Sequence, residues 1–227
     1  MYAPLRARYN GRMPIDPAGW PFIGGALAAA ALFGWWAGWW GAAPFLLLTL
    51  LFLFFFRDPD RTIPAASKVV LSPADGRVMI TGPARGPAAP AGDWQQISIF
   101  LSPMDVHVNR MPVSGRVTKV EYHPGRFLPA YRAEAGDLNE FTEVWVDHGG
   151  EKLVVRQIVG VLARRIVCRA KEGDEVKAGD RFGVMKFGSR MDVFVPTSAR
   201  IMVRPNDRVV GGLTTIAVLA EGQTGGA

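Results

Sequence analysis

The 227-residue sequence is poor in the residues from which most reactive sites are built: it has one cysteine and three histidines. A single cysteine excludes a disulfide framework within the chain and a multi-cysteine zinc centre, and no metal site is expected. Cys168 lies in the apolar run Ile166-Val167-Cys168 and reads as a small buried hydrophobe. No motif for an external cofactor is present. Charge is also missing over a long stretch, because no Asp, Glu, Lys or Arg occurs from Pro17 to Phe56. Elsewhere the chain is basic, with a formal charge of +6 and a pI of about 9.8. That balance suits nucleic acid, an anionic membrane or an anionic substrate. The basic residues are dispersed and no aromatic stacking platform accompanies them, so nucleic acid is not an expected partner.

Residues 22–56 are almost unbroken apolar sequence, 35 residues long. One membrane span needs about 20, and so long a stretch is hard to hide in a small soluble core. Gly41, Pro44 and four tryptophans (Trp35, Trp36, Trp39 and Trp40) fall near its middle. The expectation is a helical hairpin, with one arm over 22–40, a turn, and a second arm over 45–56. The second arm is short, which leaves a tilted or re-entrant arrangement open. The run is too long for a signal peptide and no small-residue cleavage site follows it. Arg6, Arg8 and Arg12 precede the run, and Arg57, Arg61 and Lys68 follow it. Both ends are then expected on the cytoplasmic side of the cell membrane. Three regions result: a basic segment 1–21, a membrane-associated hairpin 22–56, and a domain from 57 to 227.

That domain reads as mostly β. Short runs of Val, Ile and Phe alternate with Gly and Pro turns. Strands are predicted over 68–71, 76–81, 95–101, 115–122, 140–147, 152–159, 165–168, 181–186, 191–196 and 216–219, with turns at 74–76, 148–150 and 178–180. The stretch from Glu172 to Gly183 has the Gly-Asp spacing of barrel-sandwich turns, which suggests a barrel-sandwich-like β domain, not a lysine carrier site. Residues 222–227 are expected to be a frayed tail.

A Gly188-Ser189 step follows the predicted strand 181–186. A serine hydroxyl can attack the preceding carbonyl to form an ester, and elimination then leaves a ketone at the new N-terminus. Glycine before the serine leaves the approach open. Such steps are common in turns, so the flanking segments decide its meaning. Ser72-Pro73-Ala74-Asp75-Gly76, then Ser102-Pro103-Met104-Asp105-Val106-His107-Val108-Asn109-Arg110-Met111-Pro112, then Lys186-Phe187-Gly188-Ser189-Arg190 follow one another in this order. In order and spacing they resemble the phosphatidylserine decarboxylases, specifically the short, membrane-associated bacterial form, from about Arg57 to Leu219.

The resemblance implies a proenzyme that cuts itself between Gly188 and Ser189. The products would be a β chain, 1–188, and an α chain, 189–227, carrying a covalent pyruvoyl group made from Ser189. The strands on either side of the cut are expected in one sheet core, which would keep the two pieces together. The chemistry is coherent: loss of CO2 from an amino acid leaves a carbanion that needs an electron sink. A pyruvoyl ketone supplies it as a Schiff base with the serine amine. The resemblance also implies roles for His107 as acid and base in decarboxylation and for Asp75 in self-cleavage. Longer members have a second histidine three residues after the first, where this chain has Arg110, a poor base. His123 and His148 are candidates for that missing role. Arg110 is a candidate for binding the lipid phosphate or substrate carboxylate, with Asn109, Phe187 and Arg126 as further substrate contacts. Phe127 and Leu128 would touch acyl chains. The expected substrate is phosphatidylserine, or another serine-headed lipid, taken from an anionic membrane. The competing reading is a membrane-anchored, non-enzymatic barrel-sandwich adaptor.

Overall fold

A computed structural model describes residues 14–220 except 66, 88, 162–164 and 187–188. The apolar stretch forms α1 (Trp20–Phe55), preceded by a 3-10 turn over Pro17–Gly19. It is not straight. Gly38 adopts φ 62° and ψ −153°, a left-handed conformation that glycine tolerates and larger residues resist. The chain reverses there. Phe33 stacks on Phe45 at 4.9 Å, and Phe22 meets Phe52 at 5.5 Å. The reversal falls inside the tryptophan cluster, earlier than the turn predicted between 40 and 45. Pro44 lies within the second arm, since proline removes one donor without reversing the chain. Gly41 serves a different purpose: a Cβ there would lie 2.3 Å from Phe33 O, so its absence lets the arms touch. The foot of the hairpin is closed by an Ile15–Arg57 bridge and by bonds from Asp16 N to Phe56 O and from Asp58 N to Pro14 O.

The remainder is β-rich. β1 (Val69–Leu71), β2 (Gly76–Pro83), β3 (Trp94–Leu101), β4 (Val108–Arg110) and β5 (Gly115–His123) come first. A short helix, α2 (Ala135–Leu138), precedes β6 (Phe141–His148), β7 (Glu151–Val159), β8 (Ile166–Cys168), β9 (Glu175–Val176) and β10 (Arg181–Met185). The last are β11 (Ser189–Pro196), β12 (Arg200–Ile201), β13 (Arg208–Val209) and β14 (Thr215–Val218). Eight strands form a curled antiparallel sheet in the order β13-β2-β3-β11-β7-β6-β5-β9, and two three-stranded sheets, β4-β10-β8 and β1-β14-β12, accompany it. The mostly-β expectation with an apolar N-terminal hairpin therefore holds.

Period-two alternation divides β11 between two environments. Met191, Val193 and Val195 join Ile97, Ile99 and Leu101 of β3 and Leu153 and Val155 of β7 in the apolar core. Arg190 and Asp192 face the other way, and both are buried. Arg190 Nε and Nη2 donate to the Asp192 carboxylate at 2.7 and 2.9 Å, and Nη2 also reaches Ser98 at 3.0 Å. A Cβ at Gly136 would lie 2.9 Å from the Arg190 guanidinium, so the α2 segment covers this layer closely.

Sharp turns of repeated design connect the strands. In Lys171–Asp174, Lys177–Asp180 and Arg204–Asp207, the first residue's N–H donates to the closing aspartate at 2.7–2.8 Å. The third position carries a positive φ each time, at Gly173, Gly179 and Asn206.

β10 and β11 lie in different sheets, not in one as expected. What holds β11 is its central place, paired with β3 from Ser189 to Pro196 and with β7 from Ser189 to Phe194. After it, β13 pairs with β2 and β14 with β1, so residues 189–218 are woven through the whole domain.

Candidate active site

The Ser-Pro-x-Asp-x-His stretch has a clear local logic. Ser102 N–H and Oγ both donate to the Asp105 carboxylate, at 2.9 and 2.8 Å, and Asp105 N–H returns to Ser102 O. This closed turn delivers the chain to His107, whose Nδ1 lies 2.9 Å from Asp105 O. A carbonyl can only accept, so Nδ1 carries the proton and Nε2 the lone pair. Nε2 has no partner among the described residues, and His107 is fully buried. Its ring packs on Phe55 at the foot of the hairpin, with centroids 4.1 Å apart. Burial lowers the imidazole pKa to about 4, with the positive charge of Arg57 adding to the effect and Asp105 opposing it. At neutral pH the ring is an uncharged proton acceptor.

Ser189 opens β11, opposite Leu101 on one side and Val159 on the other. It too is fully buried, and its Oγ has no partner among the described residues. Phe187 and Gly188 lie outside the described residues. Lys186, just before them, sits over the Phe22 ring at 4.7 Å, and burial lowers its pKa. The segment leading to the Gly-Ser step thus lies at the foot of the hairpin, as His107 does. Met185 N–H donates to His107 O at 3.3 Å and Val184 pairs with Val108, which sets the two segments side by side.

Asn109 accepts from Gln157 Nε2 at 2.8 Å; among the described residues, Asn109 Nδ2 and Gln157 Oε1 are buried without partners. Gln157, on the same face of β7 as Val159, the partner of Ser189, thus brings Asn109 toward the head of β11, with His107 two residues earlier in the chain. Sequence reading had no signal for Gln157, which sits in an apolar run. It also gave no role to Asn139, which is 1% exposed and makes three bonds. Leu128 N–H donates to its Oδ1 at 2.9 Å, and its Nδ2 donates to Leu128 O and Val159 O at 2.7 and 2.8 Å. Asn139 thereby fastens the Arg126–Leu128 loop to the strand beside Ser189. Arg126 and Phe127 are exposed on that loop.

Asp75 and Arg110 are engaged with the linker that leaves the hairpin. Arg61 grips both Asp75 oxygens at 2.7 and 2.9 Å, and Gly211 N–H donates to the same carboxylate at 2.8 Å. Arg110 donates to Asp58 at 2.7 Å, Pro59 O at 3.2 Å and Gly179 O at 3.1 Å. Arg61, counted in the sequence among the basic flanks of the hairpin, is buried. His148 is held by Ser114 O and Ser67 O at 2.6 and 2.7 Å, and His123 stacks on Phe141 at 4.4 Å.

A family model described as phosphatidylserine decarboxylase matches residues 48–217. The chain belongs to the phosphatidylserine decarboxylase family. Similar curated relatives are phosphatidylserine decarboxylase proenzymes. That of Symbiobacterium thermophilum is 45% identical over 204 residues, covering 89% of this chain and 94% of the relative. Those of Saccharopolyspora erythraea and Beijerinckia indica are each 43% identical, over 211 and 214 residues, covering 91% and 93% of this chain and 89% and 90% of the relatives. Membership in this decarboxylase family makes the chain an enzyme and sets aside the non-enzymatic adaptor. The proenzyme names of its relatives fit a chain that is processed before it acts.

Proposed function

We propose that the chain cuts itself between Gly188 and Ser189 and then decarboxylates phosphatidylserine to phosphatidylethanolamine and CO2. The observation that carries this reading is the Ser189 hydroxyl, buried with no partner among the described residues, beside the segment that bears His107. Attack of Oγ on the Gly188 carbonyl breaks the peptide C–N bond and leaves an ester. Loss of the Ser189 α-proton then expels the Gly188 carboxylate, and water replaces the resulting imine nitrogen, releasing ammonia. The pyruvoyl group so made supplies the electron sink that the substrate carbanion needs. His107 Nε2 holds the proton that replaces CO2 on the substrate carbon. An anionic headgroup entering beside the imidazole favours its charged form, which offsets the effect of burial. Asn109 offers its free Nδ2 hydrogens to the headgroup. Arg126 with Phe127 and Leu128 faces the lipid, and Asp75 assists cleavage from its place on Arg61. Arg110 holds the linker, and with it the hairpin, over the site.

The hairpin is the membrane element of this reading. Each arm of about 18 residues rises about 27 Å, close to the roughly 30 Å hydrocarbon core. Trp35 and Trp40 at its tip are each 86% exposed, as suits the far headgroup level. The site at the foot would open at the near, cytoplasmic surface, where an anionic lipid is met. The test is the intact mass of the purified protein beside that of Ser189→Ala. Two chains, 1–188 and a 189–227 chain blocked at its N-terminus, are expected from the natural sequence, and one uncut chain from the variant. A natural chain that stays whole in its own membrane overturns the reading.

A further inference from the structure

Self-cleavage needs a group to take the Ser189 proton, and position 110 is an arginine whose guanidinium is held by Asp58, Pro59 O and Gly179 O. The chain has three histidines. His148 pairs with Glu151 at one end of β7, while Ser189 pairs with Val159 at the other. Eight residues of strand separate them by about 26 Å. His123 pairs with Phe141, Phe141 with Ile158, and Ile158 with Arg190. Three strand spacings place it about 14 Å from β11. Asp75 is saturated by Arg61 and Gly211.

His107 remains, and two independent paths bring it to Ser189. Its carbonyl accepts from Met185 N–H, four residues before the serine. Two residues on, Asn109 bonds Gln157, which lies on the same face of β7 as Val159, the partner of Ser189. His107 Nε2 is a bare acceptor and Ser189 Oγ an unused donor; both are buried and neither has a partner among the described residues. Buried polar atoms are rarely left so.

We propose that His107 Nε2 takes the Ser189 hydroxyl proton and starts self-cleavage, so that one imidazole serves both maturation and turnover. This rests on the proenzyme reading above. The O–H proton moves to Nε2, Oγ bonds to the Gly188 carbonyl carbon, and the C–N bond breaks. The imidazolium then returns its proton to the departing Ser189 nitrogen, giving an ester and a free amine with no outside reactant.

The experiment follows processing of the full chain in detergent by denaturing gel and mass, for the natural sequence, Ser189→Ala and His107→Gln. His107→Gln is expected to stay whole, slowed about 100-fold or more, and to melt with Ser189→Ala. Cleavage of His107→Gln at the natural rate overturns the proposal and confines His107 to turnover. If His107→Gln melts below Ser189→Ala, His107→Gly with added imidazole decides: fragments that appear only with imidazole support the proposal, and their absence overturns it. A natural chain that never cuts removes the proenzyme reading itself, a distinct outcome.

Discussion

At the scale of the residue, His107 shows how burial sets chemistry. Its neighbours are the Phe55 ring, the Asp105 carbonyl and carboxylate, and the Arg57 guanidinium. A histidine in the unfolded chain titrates near 6.5, and this one at about 4. Between those values the unfolded state binds a proton that the folded state refuses, so stability falls as pH drops through that window and is fully present above it. The difference corresponds to a loss on the order of 3 kcal/mol. Urea midpoints of uncut Ser189→Ala in detergent, at pH 7.5 and 4.5, measure it. The drop on acidification is expected to shrink when His107→Gln is added, because that variant has no imidazole to charge. An equal drop in both chains would show that carboxylates elsewhere dominate. The motif around His107 was legible in the sequence, yet its tautomer was not, since Asp105 O meets Nδ1 only once the Ser102–Asp105 turn closes.

At the scale of the element, legibility follows length and pattern. The ten predicted strands all appear, with ends shifted by no more than two residues, because alternation and Gly turns are local signals. β4, β9, β12 and β13 were not predicted; each has two or three residues. Such strands exist because a partner lies beside them. β4 matters most, since it places Asn109 against Gln157, and nothing in Val108-Asn109-Arg110 alone announces it. The hairpin was legible as an apolar run well beyond the length of one span, but its turn was placed between 40 and 45, on Gly41 and Pro44, whereas the chain reverses at Gly38. Contact across the arms distinguishes the two. A Cβ added at Gly34 would lie 3.2 Å from the Ala42 Cβ, near disulfide distance. In a continuous helix, eight residues would separate the two by about 12 Å. Gly34→Cys with Ala42→Cys, made in a Cys168→Ser background, is therefore expected to form an internal disulfide on mild oxidation in membranes. The check is protection from maleimide that reduction reverses. Persistent labelling of both cysteines after oxidation would mean that the arms do not meet.

At the scale of the whole molecule, the linker of residues 57–61 joins the hairpin to the site through paired charges. Arg57 donates to Met104 O at 2.7 Å, Asp58 pairs with Arg110 and Arg181, Asp60 pairs with Arg181, and Arg61 pairs with Asp75. Asp16, before the hairpin, holds Arg169 through two bonds of 2.7 and 3.0 Å. Both strands of the hairpin foot are thus fastened to the β domain, and the sequence could not reveal it because charges far apart in the chain find one another only after folding. Removing one partner of a buried pair costs about 3–5 kcal/mol, whereas replacing both with apolar groups is often neutral. Arg61→Met alone leaves the Asp75 carboxylate facing Gly211 N–H with its main counter-charge gone, and the precursor is expected to melt lower and cut more slowly. Arg61→Met with Asp75→Leu separates the two effects. If the pair only fastens the linker, the double variant regains both melting temperature and cleavage. If Asp75 also assists Ser189, the double variant regains melting temperature while cleavage stays slow. The second result is expected on the proposed role of Asp75 in cleavage, because leucine can restore the packing of the pair but not the carboxylate that Arg61 and Gly211 N–H hold in place.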